Sequence, residues 1–110
     1  MQKAKDLQSN WNTTRAVVIK QSRNNQEDTC EFVFSLENLQ EFLDYVKDES
    51  GKQGIDNPGV RIYFAAYDNK DNENATVFLS ATDGTSATAN NNYNIDPLNV
   101  VIGGIPPKIY

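Results

Sequence analysis

The chain has no histidine among its 110 residues, so the side chain best suited to moving protons near neutral pH is missing. A single cysteine, Cys30, excludes an internal disulfide, and the fold must stand on its core alone. No run approaches the roughly 20 apolar residues that a membrane-spanning helix requires. A glycine-rich phosphate loop is absent too: Gly103-Gly104 has neither the strand–helix frame nor a lysine in the right place. The oxygen-rich segment Asp68-Asn69-Lys70-Asp71-Asn72-Glu73-Asn74 invites a calcium reading, but Lys70 breaks the ligand alternation and the central glycine is missing. A solvated hairpin loop is expected there. With these absences, no catalytic constellation, cofactor or metal is expected.

Charge narrows the partners. The formal net charge is -5 and the pI is near 4.5, so phosphate backbones would repel the chain and nucleic-acid binding is not expected. Hydrophobic residues make up 38% and charged residues 23%, which is polar but apolar enough for a folded domain. Met1 to Asn10 carries lysines without the apolar stretch of a signal peptide, and together with the lone cysteine this points to the cytoplasm. No internal repeat or boundary splits the chain, so one domain spanning 1–110 is expected.

Ala4, Leu7 and Trp11 fall at i, i+3, i+7 and predict a short N-terminal helix, ended by Asn10 to Thr14 and steadied by Trp11 docking on a sheet. Arg15 to Lys20 holds Ala16, Val17, Val18 and Ile19, a β-branched run read as a strand. Gln21 to Thr29 has no apolar residue and reads as a loop. Cys30 to Phe34 alternates, with Phe32 and Phe34 on one side, and would pair with the preceding run as a first hairpin. Ser35 is a natural N-cap for a main helix, with Gly51 as its left-handed stop. Leu36, Leu39, Phe42, Leu43 and Val46 form its apolar stripe. At about 100° per residue, Glu37, Glu41, Asp44 and Asp48 line up nearly opposite that stripe.

Gly59 to Thr82 is the centre of the pattern, two alternating apolar runs around a polar loop. Pairing them puts Val60, Ile62, Phe64 and Ala66 on one face with Ala75, Val77, Leu79 and Ala81, and the helix is expected to cover that face. Phe64, Phe42 and Leu79 should then be buried together. Arg61, Tyr63, Ala65 and Tyr67 share the opposite, mixed face with Thr76, Phe78, Ser80 and Thr82. Thr85 to Asn94 reads as an exposed loop. Leu98 and Val100 to Ile102 read as an edge strand, followed by an apolar tail to Tyr110 that would cover the mixed face. The fold class is α+β: an antiparallel sheet of three to five strands, one main amphipathic helix and a short N-terminal helix.

Three segments together resemble an uncharacterised family of small bacterial proteins: the helix closing on Asn10-Trp11, the helix introduced by Phe34 to Leu43, and the string Gly59 to Tyr67 with the strand Ala75 to Gly84. The family's strand motif, Gly-(Ile/Val)-Arg-(Ile/Val)-Tyr-(Phe/Leu), is matched by Gly59, Val60, Arg61, Ile62, Tyr63 and Phe64. The resemblance covers about two thirds of the chain; it implies one α+β domain and, with no known activity, names no catalytic residue. The loop after Gln21 and the Asn-rich stretch look like insertions.

Two surfaces are candidate sites. Arg61 with Tyr63, Tyr67 and Phe78 places a guanidinium beside aromatic rings, able to clamp an anionic group or a peptide. The competing expectation is that the tail covers this face and Arg61 bonds a carboxylate or a tail carbonyl. The acidic row Glu37, Glu41, Asp44 and Asp48 suits a basic partner, and its plain alternative is a solvated helix face. The expected function is a non-catalytic binding or interaction module with a protein or peptide partner. The alternative is an acidic inhibitor or immunity-type protein that masks a basic surface. Oligomeric state is left open.

Overall fold

Ser35 sits with extended backbone (φ -64°, ψ 143°) and its hydroxyl accepts a hydrogen bond from the Asn38 N–H at 3.0 Å, opening the main helix as its position predicts. In the computed structural model, which describes residues 1–68, 74–99 and 102–103, that helix is the third of three. The elements are α1 (Gln2–Thr13), α2 (Arg15–Ser22), β1 (Phe32–Val33), α3 (Leu36–Lys52), β2 (Gly59–Ala66), β3 (Ala75–Thr82) and β4 (Ile102–Gly103). The class is α+β. Among the described residues the strands pair as β1 with β4 and β2 with β3, and isolated antiparallel bridges join Leu79 to Leu98 and Thr82 to Asn91. The polar loop from Asn69 to Glu73, most of the tail and the remainder of its edge strand lie outside the described residues.

The chain forms two compact units, one of Met1–Phe32, Ala66–Thr76 and Gly103–Tyr110, the other of Val33–Ala65 and Val77–Ile102. In the first, α1 and α2 pack together, separated by a break at Thr14 (φ -121°, ψ -81°). The run Arg15 to Lys20 is therefore helical, not a strand, and the first hairpin expected from it does not form. β-branched residues lower helix propensity only by tenths of a kcal/mol, so packing overrides them. Ala16 and Ile19, at i and i+3, are the half-buried pair, while Val17 and Val18 stay exposed. Trp11 is half-buried and lines a cavity together with residues of α2 and the segment Glu27 to Cys30.

Asn24 and Asn25 end α2 in the left-handed region (φ 55° and 64°), and the Asn25 N–H donates to the Lys20 carbonyl at 2.9 Å. The apolar-free loop that follows is fixed by polar bonds. Arg23 donates to the Glu27 carbonyl at 2.8 Å and to Asn74 Oδ1 at 3.1 Å, and stands 3.2 Å from Asp28 Oδ1. That carboxylate accepts in turn from the N–H groups of Thr29 and Ala75, at 2.8 and 2.7 Å.

The second unit holds the core: Phe42 and Val46 of α3, Leu79 and Ala81 of β3, and Ile95, flanked by Phe34, Leu39 and Leu98. The buried stripe of α3 runs Phe42, Val46, Ser50, one turn at a time, whereas Leu36 and Leu43, expected in it, are exposed. The helix also outlasts its expected stop. Gly51 is helical, and the left-handed position is Gly54 at φ 75°. There the Ile55 N–H bonds the Ser50 carbonyl at 2.9 Å and the Gly54 N–H bonds the Gly51 carbonyl at 3.1 Å, which is the Schellman arrangement.

Candidate functional site

β3 buries the face expected of it, through Val77, Leu79 and Ala81. β2 does not. Its accessibility alternates with Arg61, Tyr63 and Ala65 half-buried and Val60, Ile62 and Phe64 outward, the last two 64% and 89% exposed. The expected burial of Phe64 with Phe42 and Leu79 is thus incorrect. α3 and Ile95 close over Leu79 and Ala81 of β3, and what covers β2 is the loop after β3, on the other face.

Arg61 makes that cover. Its guanidinium donates to Asn91 Oδ1 at 2.6 Å and to the carbonyls of Ala89 and Ala87 at 2.9 and 3.3 Å. The Asn91 amide donates onward to the Tyr63 hydroxyl at 2.6 Å, and the Tyr63 and Phe78 rings stack with centroids 5.0 Å apart. Three of the four candidate side chains are therefore joined, but as a clamp on the chain's own loop. Among the described residues the partners are two loop carbonyls and an asparagine, with no carboxylate among them, and most of the tail expected to cover this face lies outside the described residues. Tyr63 records the arrangement: the Asn91 bond, then the Arg61 bond and charge, hold its phenol below the ordinary value of 10.0 against the opposing effect of burial. Tyr67 is exposed, and its N–H donates to the Asn74 carbonyl at 3.1 Å.

The Asn-rich segment is anchored at more points than Arg61. Asp83 accepts from the Asn90 N–H at 2.9 Å, Asn92 is buried and donates to Gln53 Oε1 at 2.8 Å, and the Asn92 N–H bonds the Ala81 carbonyl at 2.8 Å. Ile95 then enters the core at 3% exposure. Within Thr85 to Asn94, expected to be an exposed loop, Thr85 to Thr88, Asn90, Tyr93 and Asn94 are exposed, Ala89 and Asn91 are half-buried and Asn92 is buried.

Glu37, Glu41, Asp44 and Asp48 are all exposed on α3 as the helical spacing requires. None of the four makes an ion pair among the described residues, and Asp44 accepts a bond from the Gln40 amide at 3.0 Å. No group of three or more potential metal ligands occurs among the described residues, and none of their helices is long and apolar enough to cross a membrane. The row missed by sequence reasoning is Val60, Ile62 and Phe64. Its alternation was visible, but alternation tells which residues share a face and not whether that face is covered.

No family model matches the chain, and no curated protein or solved structure is significantly similar to it.

Proposed function

We propose that this protein is a non-catalytic interaction module whose partner is an extended protein or peptide segment with alternating apolar residues, laid against β2. The observation that carries the reading is the outward row of Val60, Ile62 and Phe64. A phenylalanine at 89% exposure and an isoleucine at 64%, two residues apart on one strand, form an apolar strip that a solitary soluble domain would ordinarily cover. Among the described residues β2 pairs only with β3, so an added strand is the natural occupant. In this reading the sheet of three to five strands expected of the chain itself is β2 and β3 continued by the isolated bridges at Leu98 and Asn91, and the partner would add to it. The likeness of Gly59 to Phe64 to the small bacterial family belongs to the same proposal and adds no activity to it.

The test is selection from a random peptide display library against the intact chain and against an Ile62→Ser, Phe64→Ser variant of matched stability. Enrichment of alternating apolar peptides that the variant fails to hold supports the reading. Absence of enrichment, or peptides held equally by the variant, defeats it.

A second reading, an acidic inhibitor of a basic surface, is favoured by the four carboxylates of α3 that make no ion pair among the described residues. It predicts enrichment of basic peptides instead, with binding that falls steeply with salt and on Glu41→Lys combined with Asp44→Lys.

A further inference from the structure

The first unit contains a cavity of about 390 Å³ that neither reading uses. Its wall combines the Trp11 indole of α1 with Ala16, Val17 and Ile19 of α2 and with Thr29 and Cys30. These residues present an aromatic ring, methyl groups and a thiol. The charges that border the space are already engaged. Lys20 and Glu27 stand 4.0 Å apart and offset one another. The Asp28 carboxylate is held by Arg23 and by two backbone N–H groups. The Trp11 N–H is sealed from water without a nitrogen or oxygen acceptor, with the Cys30 sulfur as its neighbour.

The sulfur senses the character of this space. Burial pushes the Cys30 thiol above 9.0 against an opposing pull from the Trp11 N–H, and the carboxylates of Glu31, Asp28 and Glu27 each add a lesser push in the same direction as burial. Surroundings that disfavour a thiolate disfavour any other anion placed there. A cavity of about 150 Å³ admits a benzene ring. Pockets for larger ligands begin at about 300 Å³. The volume here therefore suits a molecule of one or two rings. We propose that the cavity between α1, α2 and the Glu27 to Cys30 segment is a binding site for a small, uncharged aromatic molecule that lies against the Trp11 indole.

Trp11 is the chain's one tryptophan and so reports on the cavity directly. The probe is benzyl alcohol, with benzoate as its anionic counterpart, added to the intact protein. Benzyl alcohol should shift Trp11 emission saturably and slow alkylation of Cys30 by iodoacetamide with the same midpoint, roughly millimolar for a ligand of so few atoms. Benzoate should do neither below a tenfold higher concentration. Ala16→Phe, which fills the space, should abolish both responses. A linear, unsaturable response to benzyl alcohol, an equal response to benzoate, or a response that survives in folded Ala16→Phe overturns the assignment. The comparison of the two probes on the wild-type chain decides the matter even if that variant fails to fold.

Discussion

Arg61 is the residue on which the second unit's loop depends. A guanidinium in a strand interior must find acceptors, because a half-buried charge without them is costly. That necessity was legible in the sequence; the identity of the acceptors was not. Thr85 to Asn94 reads as a polar, exposed loop, and the bonds of Arg61 to Ala87, Ala89 and Asn91 with the burial of Asn92 show that it folds back. Arg61→Met removes bonds to Ala87, Ala89 and Asn91. It should lower stability by about 1–2 kcal/mol, less than a fully buried charged network would lose. Amide exchange at Ala87 to Asn91 should rise in step, and an unchanged exchange pattern would show that the loop holds itself. Tyr63 offers a second measurement. Its folded-state pKa lies below the unfolded one, so ionisation favours the fold. That contribution is complete above about pH 10 and lost as pH falls through the lowered value. In alkaline absorbance titration one tyrosinate should form early, and Asn91→Ala should move it back up.

At the scale of elements, the start of α3 was legible and its end was not. An N-cap is written in one side chain with a fixed reach, and Ser35 meets the Asn38 N–H as expected. A stop is written in glycines, and this helix has one in its last turn and another two residues past its end. Gly51 is helical with open space where a Cβ would point, so Gly51→Ala should add about 0.5–1 kcal/mol. Gly54 also has room, but at φ 75°, so Gly54→Ala should cost about 1–2 kcal/mol despite the space. Thermal melts of the pair decide which glycine ends the helix, and equal shifts would contradict the assignment. The run Val17-Val18-Ile19 misled for a related reason. Propensity describes a residue against an average background, whereas Ala16 and Ile19 pack on one specific side. For the candidate sites, spacing correctly gave the exposed carboxylate row of α3. It gave the facing of β2 but not which of its faces the loop would cover.

At the scale of the whole molecule, the chain passes between its two compact units at Phe32–Val33, Ala65–Ala66, Thr76–Val77 and Ile102–Gly103. Neither unit is a single length of sequence. A fragment ending at Ala66 keeps α1, α2, α3 and β2 but loses Leu79, Ala81 and Ile95, the core partners of Phe42 and Val46. Isolated helices of this length are marginal in water, so the fragment should give a largely coil circular-dichroism spectrum without a cooperative melt. A helical fragment that melts sharply would show that α1 to α3 need no sheet. The interleaving also bears on heredity. Recombination exchanges contiguous stretches, and the shortest stretch that carries the second unit complete, 33–102, also carries Ala66–Thr76 of the first. Neither unit can therefore be grafted onto another protein without part or all of the other.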